Sequence, residues 1–464
     1  MKKCSKPKIG LLPLYVKLYD DWLPEYRAGC ERIRQIVQDG LTERGAEVVA
    51  APVCRLAAEA DAAVQTLEAA GVDCLVTLHL AYAPSLEFAA ALGRSRLPLV
   101  LLDTSPDAAF GLDADTSRTM FNHGVHGVMD LASVLGRQGR SFEIVAGHVT
   151  ESDVLARVID LARAARAARL LRAMRVVRIG HEFVGMGDFA VDPAVLRDAL
   201  GIRADEVAPE AIGREMKSVT TEEIERELES DRQRYIVRAD PAVHRRSVHT
   251  GLAVRRFLEA GGYGALSANF EAFTDPAGPV MPFLEVSKAM ARGTGFAGEG
   301  DVLTASLVGA LAQAFGRTTF TEVFCPDWRG NSLFLSHMGE INPEVAPDRP
   351  LLVVKDYPFI PAGPTVALVC GIRAGPAVYV NLVPLANGRF RLIVAPVDVL
   401  GDASREETRQ IVRGWMRPSR LAVGPFLEEY SRLGGTHHAA LVLDGKVEPL
   451  RAFARCAGLD CVVL

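Results

Sequence analysis

Two acidic positions and three imidazoles in the C-terminal half of the chain are the side chains best suited to chemistry. Gly298-Glu299-Gly300-Asp301 stands directly before Val302–Phe315, which has the apolar spacing of an amphipathic helix. Acidic residues in a first helical turn often do no more than balance the helix dipole. A carboxylate on glycine-flanked backbone can equally point into a cleft, and the sequence leaves both readings open. Glu322 follows an apolar strand and precedes Cys325-Pro326-Asp327-Trp328. His337 follows the strand Ser332–Ser336, and His437-His438 lie between Gly434-Gly435 and the apolar run Ala439–Leu443. Acids and imidazoles at element ends are where metal ligands and acid/base groups tend to sit. Their separations follow no local metal-binding pattern. A mixed Glu/His set suits Mn²⁺ or Co²⁺ better than a thiolate-loving metal. The eight cysteines (4, 30, 54, 74, 325, 370, 456, 461) are scattered without a C-x-x-C and offer no competing zinc site.

Other motifs are weaker. Gly293-Thr294-Gly295-Phe296-Ala297-Gly298 matches G-x-G-x-x-G, but a helical stretch, Leu284–Arg292, precedes it where a dinucleotide fold requires a strand. Glu299 and Asp301 would also repel a pyrophosphate. These glycines are expected to end one helix, set up the next and let backbone approach a ligand. His123 and His126 stand three residues apart on one helical face, which suits a metal pair, a polar helix face or substrate contacts. His244 and His249 lie among arginines and are expected to be solvated. Neither a G-x-S-x-G elbow nor a P-loop occurs.

The elements that must position these groups are readable in outline. Apolar runs at Ile9–Val16, Glu47–Ala51, Asp73–Leu78, Pro98–Asp103 and Phe142–Ala146 alternate with helical stretches near Glu25–Arg44, Ala57–Ala70, Ser85–Leu92 and Met120–Gln138. Continuous Val/Leu/Ile runs between helices predict a doubly wound parallel sheet. Ser152–Arg175 reads as a long helix whose arginines, three apart, wrap around it rather than form one stripe. A second mixed segment starts at Val176–Gly180 and carries helices near Thr221–Arg234 and Pro241–Ala260. From Thr318 the pattern turns to short alternating strands, with Asn387-Gly388 as a hairpin turn. Helices are expected to return near Glu406–Met416 and Pro425–Leu433.

With 464 residues, 49% hydrophobic and 23% charged, the chain can bury the cores of two or three domains. A net charge of -5 gives no pull toward nucleic acid or anionic lipid. No apolar run reaches the roughly 18 residues of a membrane span. The N-terminus reads as a first strand rather than a signal peptide, so the expected setting is cytoplasmic, with reduced thiols.

In its ordered blocks the sequence resembles the L-arabinose isomerase family, within the wider group that includes L-fucose isomerase. The blocks are Arg256-Phe257-Leu258-Glu259 with Gly261-Gly262, Asn269-Phe270-Glu271, Gly295 through Asp301, Thr321-Glu322, Ser336-His337-Met338 and Gly434-Gly435-Thr436-His437-His438. Weaker similarity runs through Leu18-Tyr19, Leu78-His79 and His126-Gly127. The resemblance implies an α/β chain with Rossmann-like N-terminal (1–172) and central (173–317) domains and a β-rich, barrel-like C-terminal domain (318–464). It implies a divalent metal, typically Mn²⁺ with Co²⁺ or Mg²⁺ as alternatives, held by Glu299, Glu322, His337 and His438. It further implies aldose–ketose isomerisation, with Glu299 and Glu322 as the acid/base pair. The family assembles as trimers or hexamers with sites completed by a neighbour. By that analogy Tyr19, Tyr82 and His126 are substrate contacts supplied by the adjoining subunit, and Phe270 lies beside the metal.

Val16 and His123 stand where the family's L-arabinose enzymes carry glutamines. Such changes fall around the sugar rather than the metal, so isomerase chemistry is expected with the sugar left open. A sugar epimerase or dehydratase using the same ligands, or a sugar-binding or regulatory protein, are the rival readings.

Overall fold

The computed structural model describes residues 6–403 and 409–464 and divides into two compact units, Lys6–Arg166 and Ala167–Leu464. In the first, strands β1 (Lys8–Leu14), β2 (Glu47–Ala50), β3 (Cys74–His79), β4 (Leu99–Asp103) and β5 (Glu143–Ala146) form an all-parallel sheet in the order β2-β1-β3-β4-β5. The central strands are buried on both faces, which is why they read as unbroken apolar runs. Leu12, Leu75 and Leu101 from the sheet pack with Leu67, Leu92, Leu131 and Leu135 from the helices and with Phe88 from the turn before Ala89–Arg94. The helix expected over Met120–Gln138 is interrupted at His123, which separates Thr119–Asn122 from Gly124–Arg137.

The second unit begins with another parallel layer. Strands β6 (Arg175–Ile179), β7 (Arg203–Val207), β8 (Ile236–Val237), β9 (Ala265–Ala268) and β10 (Gly295–Gly298) follow in sequence. Four of them form a sheet ordered β10-β9-β6-β7, while β8 leaves it. The strand order reverses at β6, where the chain winds first to β7 and then back to β9. In open parallel sheets the crevice at such a reversal, outside the carboxyl ends of the strands, is where ligands bind.

The remainder is β-rich: β11 (Thr318–Asp327), β12 (Ser332–Ser336), β13 (Leu351–Lys355), β14 (Thr365–Val369), β15 (Gly375–Pro384), β16 (Phe390–Val399), β17 (Gly414–Pro418), β18 (His438–Leu443) and β19 (Asp460–Val463). Antiparallel pairing runs β15-β18-β11-β12-β17-β16, and a further β15–β16 pairing closes the ring into a six-stranded barrel. Closure leaves no open edge within the ring, and β19 adds to β16 in parallel. β13 pairs with β14 and β8 in a separate small sheet. Asn387 and Gly388 both take positive φ, 60° and 66°, between β15 and β16, the backbone that an Asn-Gly turn signals.

Three local expectations are corrected. Of the helix expected near Glu406–Met416, residues 406–408 lie outside the described residues, and Gly414–Met416 belong to β17. Gly295–Gly298 is a strand, not a link between helices. Gly295 makes room for helix Val302–Phe315 rather than for a ligand, because a Cβ there would lie 2.0 Å from the Ala305 carbonyl oxygen. His244 is buried, not solvated. Helices Thr221–Arg234, Pro241–Gly261 and Phe283–Ala291 pack together and pair their charges inside. There His244 Nε2 meets Asp231 Oδ2 at 2.9 Å, and Lys288 bridges Asp231 and Glu227. His249 is half-buried, with Nε2 2.9 Å from the Met216 carbonyl oxygen.

Candidate metal centre

The barrel's register assembles residues that are distant in sequence. Glu322 on β11 stands opposite His438 on β18 and opposite Ser336 on β12, and His337 is the next residue after Ser336. Directly opposed residues share a face of the sheet, so Glu322 and His438 do, while His337, just past the end of β12, reaches them from the chain that leaves that strand. Fully buried Phe320 lies edge-on to both imidazoles, with ring centroids at 4.8 Å from His337 and 4.9 Å from His438. Burying such a ring contributes about 2 kcal/mol while fixing the two imidazole planes. Phe189 stacks on His438 with centroids 5.2 Å apart and planes 5° from parallel.

Glu299 comes from the parallel layer. It follows β10 at φ 61°, a left-handed conformation rare for a non-glycine residue. Its N–H donates to the Ala268 carbonyl and its carbonyl accepts from the Phe183 N–H, both at 3.0 Å. Gly300 follows at φ 88°, where a Cβ would lie 2.7 Å from the His181 carbonyl oxygen, so only glycine fits. Buried Arg178 donates Nε to the Gly300 carbonyl at 2.9 Å. Backbone strain held by so many contacts is characteristic of functional sites.

Each imidazole turns Nδ1 away from this centre toward a buried carboxylate. His337 Nδ1 lies 2.8 Å from Glu340 Oε2, and His438 Nδ1 lies 3.1 Å from Asp301 Oδ2. Asp301 also caps helix Val302–Phe315, accepting from the Thr304 N–H at 2.8 Å, so it balances the helix and serves the site at once. Ligand atoms of Glu299, His337 and His438 all lie within 4.8 Å of one another. His438 Nε2 is 3.5 Å from Glu299 Oε2 and is buried without a hydrogen-bond partner. A fully buried imidazole nitrogen left unpaired is costly, whereas a carboxylate-backed imidazole aimed at a second donor is the arrangement that holds a cation. The donor set therefore fits a divalent ion. Glu322 lies outside this closest trio but adjoins it, its Oε2 3.9 Å from His337 Nε2.

The two glutamates are biased oppositely in the chain alone. Burial works to raise Glu299, but a hydrogen bond from His437 and the charges of the three histidines outweigh it and hold the carboxyl below its ordinary range. Burial raises Glu322, and the negative charge of Glu299 adds to that against the pull of the histidines. His437 Nδ1 lies 2.6 Å from Asp188 Oδ2, and its backbone N–H donates to the same oxygen at 3.0 Å. Although burial alone would lower it, the bonds to Asp188 and Glu299 push His437 up to about 10.

Asp188, Phe189 and Glu340 were not singled out from sequence. Glu340 had a signal, an acid three residues after a histidine; Asp188 and Phe189 sit in an irregular connection after β6 and had none. Phe270 lies on the turn after β9, its ring 5.6 Å from Phe183 and 5.2 Å from Phe359. In the first unit Tyr82, His123 and His126 form their own cluster. The Tyr82 and His126 rings are 4.7 Å apart, and His126 Nδ1 is 2.8 Å from His123 Nε2. Tyr19 is buried, with its hydroxyl 3.3 Å from Met120 Sδ.

Residues 175–315 match the model of the L-arabinose isomerase central domain, and residues 317–460 that of the L-arabinose isomerase C-terminal domain. L-arabinose isomerase of Shouchella clausii is 25% identical over 468 residues, covering 98% of this chain and 93% of that protein. The Geobacillus kaustophilus enzyme of the same name is 28% identical over 422 residues, covering 88% and 83%. That of Herpetosiphon aurantiacus is 27% identical over 402 residues, covering 83% and 79%. Among solved structures, a periplasmic solute binding protein from Actinobacillus succinogenes with bound D-allose aligns over 67% of this chain and 92% of its own. The two are 14% identical, with a TM-score of 0.18. Among the described residues no helix is long and apolar enough to cross a membrane.

Proposed function

The chain belongs to the L-arabinose isomerase family, and on that premise we propose that it is a metal-dependent aldose–ketose isomerase acting on a pentose or hexose through an enediolate. The observation that carries the metal dependence is the buried, unpartnered Nε2 of His438 facing Glu299 beside His337. Glu299, His337 and His438 hold the ion, with Glu322 as the adjoining fourth ligand, and Mn²⁺ is the ion proposed. When bound, a divalent ion supplies Lewis-acid polarisation of the sugar carbonyl and a template for its first two oxygens.

The chain's own groups move the protons. Isomerisation shifts one proton between C2 and C1 and another between their oxygens. Glu299, held ionised by its histidine neighbours, is the carboxylate poised to take the carbon-bound proton and return it. Glu322 is the partner carboxyl that serves the proton moving between the oxygens. Asp188 orients His437 against Glu299, while Phe270 and its aromatic neighbours bound the sugar's apolar face. Substrate contact by Tyr19, Tyr82, His123 and His126, and assembly into a homo-oligomer, belong to the same proposal.

The test is a panel of pentoses and hexoses with Mn²⁺ in deuterated water, reading ketose formation. Expected is one or more aldoses converted, with label at the product carbon and no loss of water. Epimer formation or dehydration in place of a ketose would overturn the reaction assigned.

Asp301→Asn probes the imidazole separately. Asparagine caps a helix as well as aspartate, so the melting temperature should barely move. Its amide N–H, however, would donate to His438 Nδ1 and force the proton onto Nε2, the tautomer that cannot bind a cation. Mn²⁺ affinity measured by titration calorimetry should fall about 10–100-fold; unchanged affinity would refute His438 as a ligand.

A further inference from the structure

The ladder between β15 and β18 runs from Ala377 opposite Leu443 to Val380 opposite Ala440. β18 itself begins two residues earlier, at His438, which pairs on its other side with Glu322 of β11. Across the gap on the β15 side stands Asn381, the residue after Val380. It is fully buried, and its backbone stays in register with Ile393 of β16. Its Nδ2 donates to the His438 carbonyl at 2.7 Å and to Thr436 Oγ1 at 2.6 Å, while its Oδ1 accepts from the Thr436 N–H at 3.1 Å. One side-chain amide takes over from the ladder where the two backbones part.

Thr436 is engaged at every polar group. Besides its bonds to Asn381, its hydroxyl donates to the His438 carbonyl at 2.9 Å, and its carbonyl accepts from the Tyr430 hydroxyl of helix Val423–Arg432 at 2.6 Å. Gly435 packs so closely on that helix that a Cβ would lie 2.3 Å from the Tyr430 ring. A buried amide is costly unless it is bonded, and a fully bonded buried network specifies one geometry. The geometry specified here is that of the chain entering the metal centre. His438 Nδ1 lies 3.1 Å from Asp301 and Nε2 3.5 Å from Glu299, both of which stand outside β18. A main-chain shift of about 1 Å would take Nδ1 beyond hydrogen-bond reach of Asp301.

We infer that Asn381 is a positioning residue of the metal centre, an inference that rests on the metal-binding reading above. Its amide fixes the His438 main chain and thereby the direction of Nε2, acting through the histidine rather than by contact with ion or sugar. Thr436 is the second half of the same clamp, since its hydroxyl shares the His438 carbonyl with Asn381. The aromatic neighbours supply a different restraint. Phe189 stacked on one face and Phe320 edge-on set the tilt of the imidazole, but a stacked face leaves movement within the ring plane open. The clamped main chain is what restrains that movement.

The experiment uses the full chain, with Mn²⁺ affinity from titration calorimetry and the visible absorption of bound Co²⁺ as readouts, both taken well below each variant's melting temperature. Asn381→Ala removes all three bonds of the amide. It should bind Mn²⁺ about tenfold more weakly, the low end for a partner behind a metal ligand, with an altered Co²⁺ spectrum. Thr436→Val keeps the shape and loses the hydroxyl, whereas Thr436→Ser keeps the hydroxyl. Valine should weaken Mn²⁺ binding and serine should restore the parental affinity, a comparison that decides the matter if Asn381→Ala does not fold. Parental affinity and spectrum in a folded Asn381→Ala, with only the melting temperature lowered, would reduce the amide to a structural bond and overturn the inference. Equal affinities of Thr436→Val and Thr436→Ser would overturn it as well. Turnover is measured separately. A parent chain that binds the ion but isomerises no aldose would remove the isomerase reading and leave this one standing, while a parent that binds neither ion would remove both.

Discussion

Glu299→Gln is expected to fold normally and to lose turnover by about 10³-fold, within the range that a positioned acid/base group contributes. Glutamine keeps the length of the side chain and meets the same left-handed backbone at φ 61°, so the pins from Ala268, Phe183 and Arg178 are undisturbed. What changes is chemical. An amide neither takes up the proton nor presents a negative oxygen to His438 Nε2 and His437. Circular dichroism and the melting temperature should match those of the parent chain. The rate of ketose formation, on whichever aldose the parent converts, should collapse in kcat more than in KM. Titration with Mn²⁺ separates the two roles: a variant that still binds the ion but does not turn over has lost its proton carrier. Near-parental turnover would remove Glu299 from the mechanism.

What the sequence disclosed of this site, and what it concealed, follows from how each residue is placed. Glu299 with Asp301, Glu322, His337 and the pair His437-His438 stand out as acids and imidazoles at the ends of apolar runs, and the resemblance to the family, not their pattern, selects Glu299, Glu322, His337 and His438 among them. Nothing local says that they meet. Their meeting depends on Glu322 facing both Ser336 and His438, a register set by barrel closure and by an irregularity between Val323 and Cys325. Asp301 reads as a helix cap and is one; its second oxygen serves His438 only because β18 arrives beside it. Asp188 is brought in by an irregular connection with no periodicity to read.

The layers show the same division. The strands of the first unit are legible because they are continuous Val/Leu/Ile runs. In the second unit β7 is Arg-Ala-Asp-Glu-Val and β9 is Ala-Leu-Ser-Ala. Short strands of charged or small residues carry little β preference of their own, and packing alone makes them strands. His244 departs from expectation for a related reason, since surrounding charge predicts solvent unless the charges pair with one another in the interior.

The glycines before Glu299 carry the other large effect. Gly295→Ala is expected to cost on the order of 3 kcal/mol or more, the upper range for overpacking a core. The added Cβ would lie 2.0 Å from the Ala305 carbonyl oxygen and 2.4 Å from the Gly309 nitrogen, backbone atoms of helix Val302–Phe315 that cannot swing aside as a side chain can. Nor can that helix retreat alone. It starts at Asp301, which holds His438, and β10 runs straight into Glu299, so relief of the clash moves two ends of the metal centre. A lower melting temperature should therefore accompany weaker Mn²⁺ binding and reduced turnover. Gly136→Ala is the matched control. Gly136 lies in helix Gly124–Arg137 with ordinary φ and nothing within 4 Å of an added Cβ, so alanine there should be neutral or stabilising by up to about 1 kcal/mol. Parental stability in Gly295→Ala would mean that strand and helix are not in the contact described, and the geometry that delivers Glu299 would fall with it.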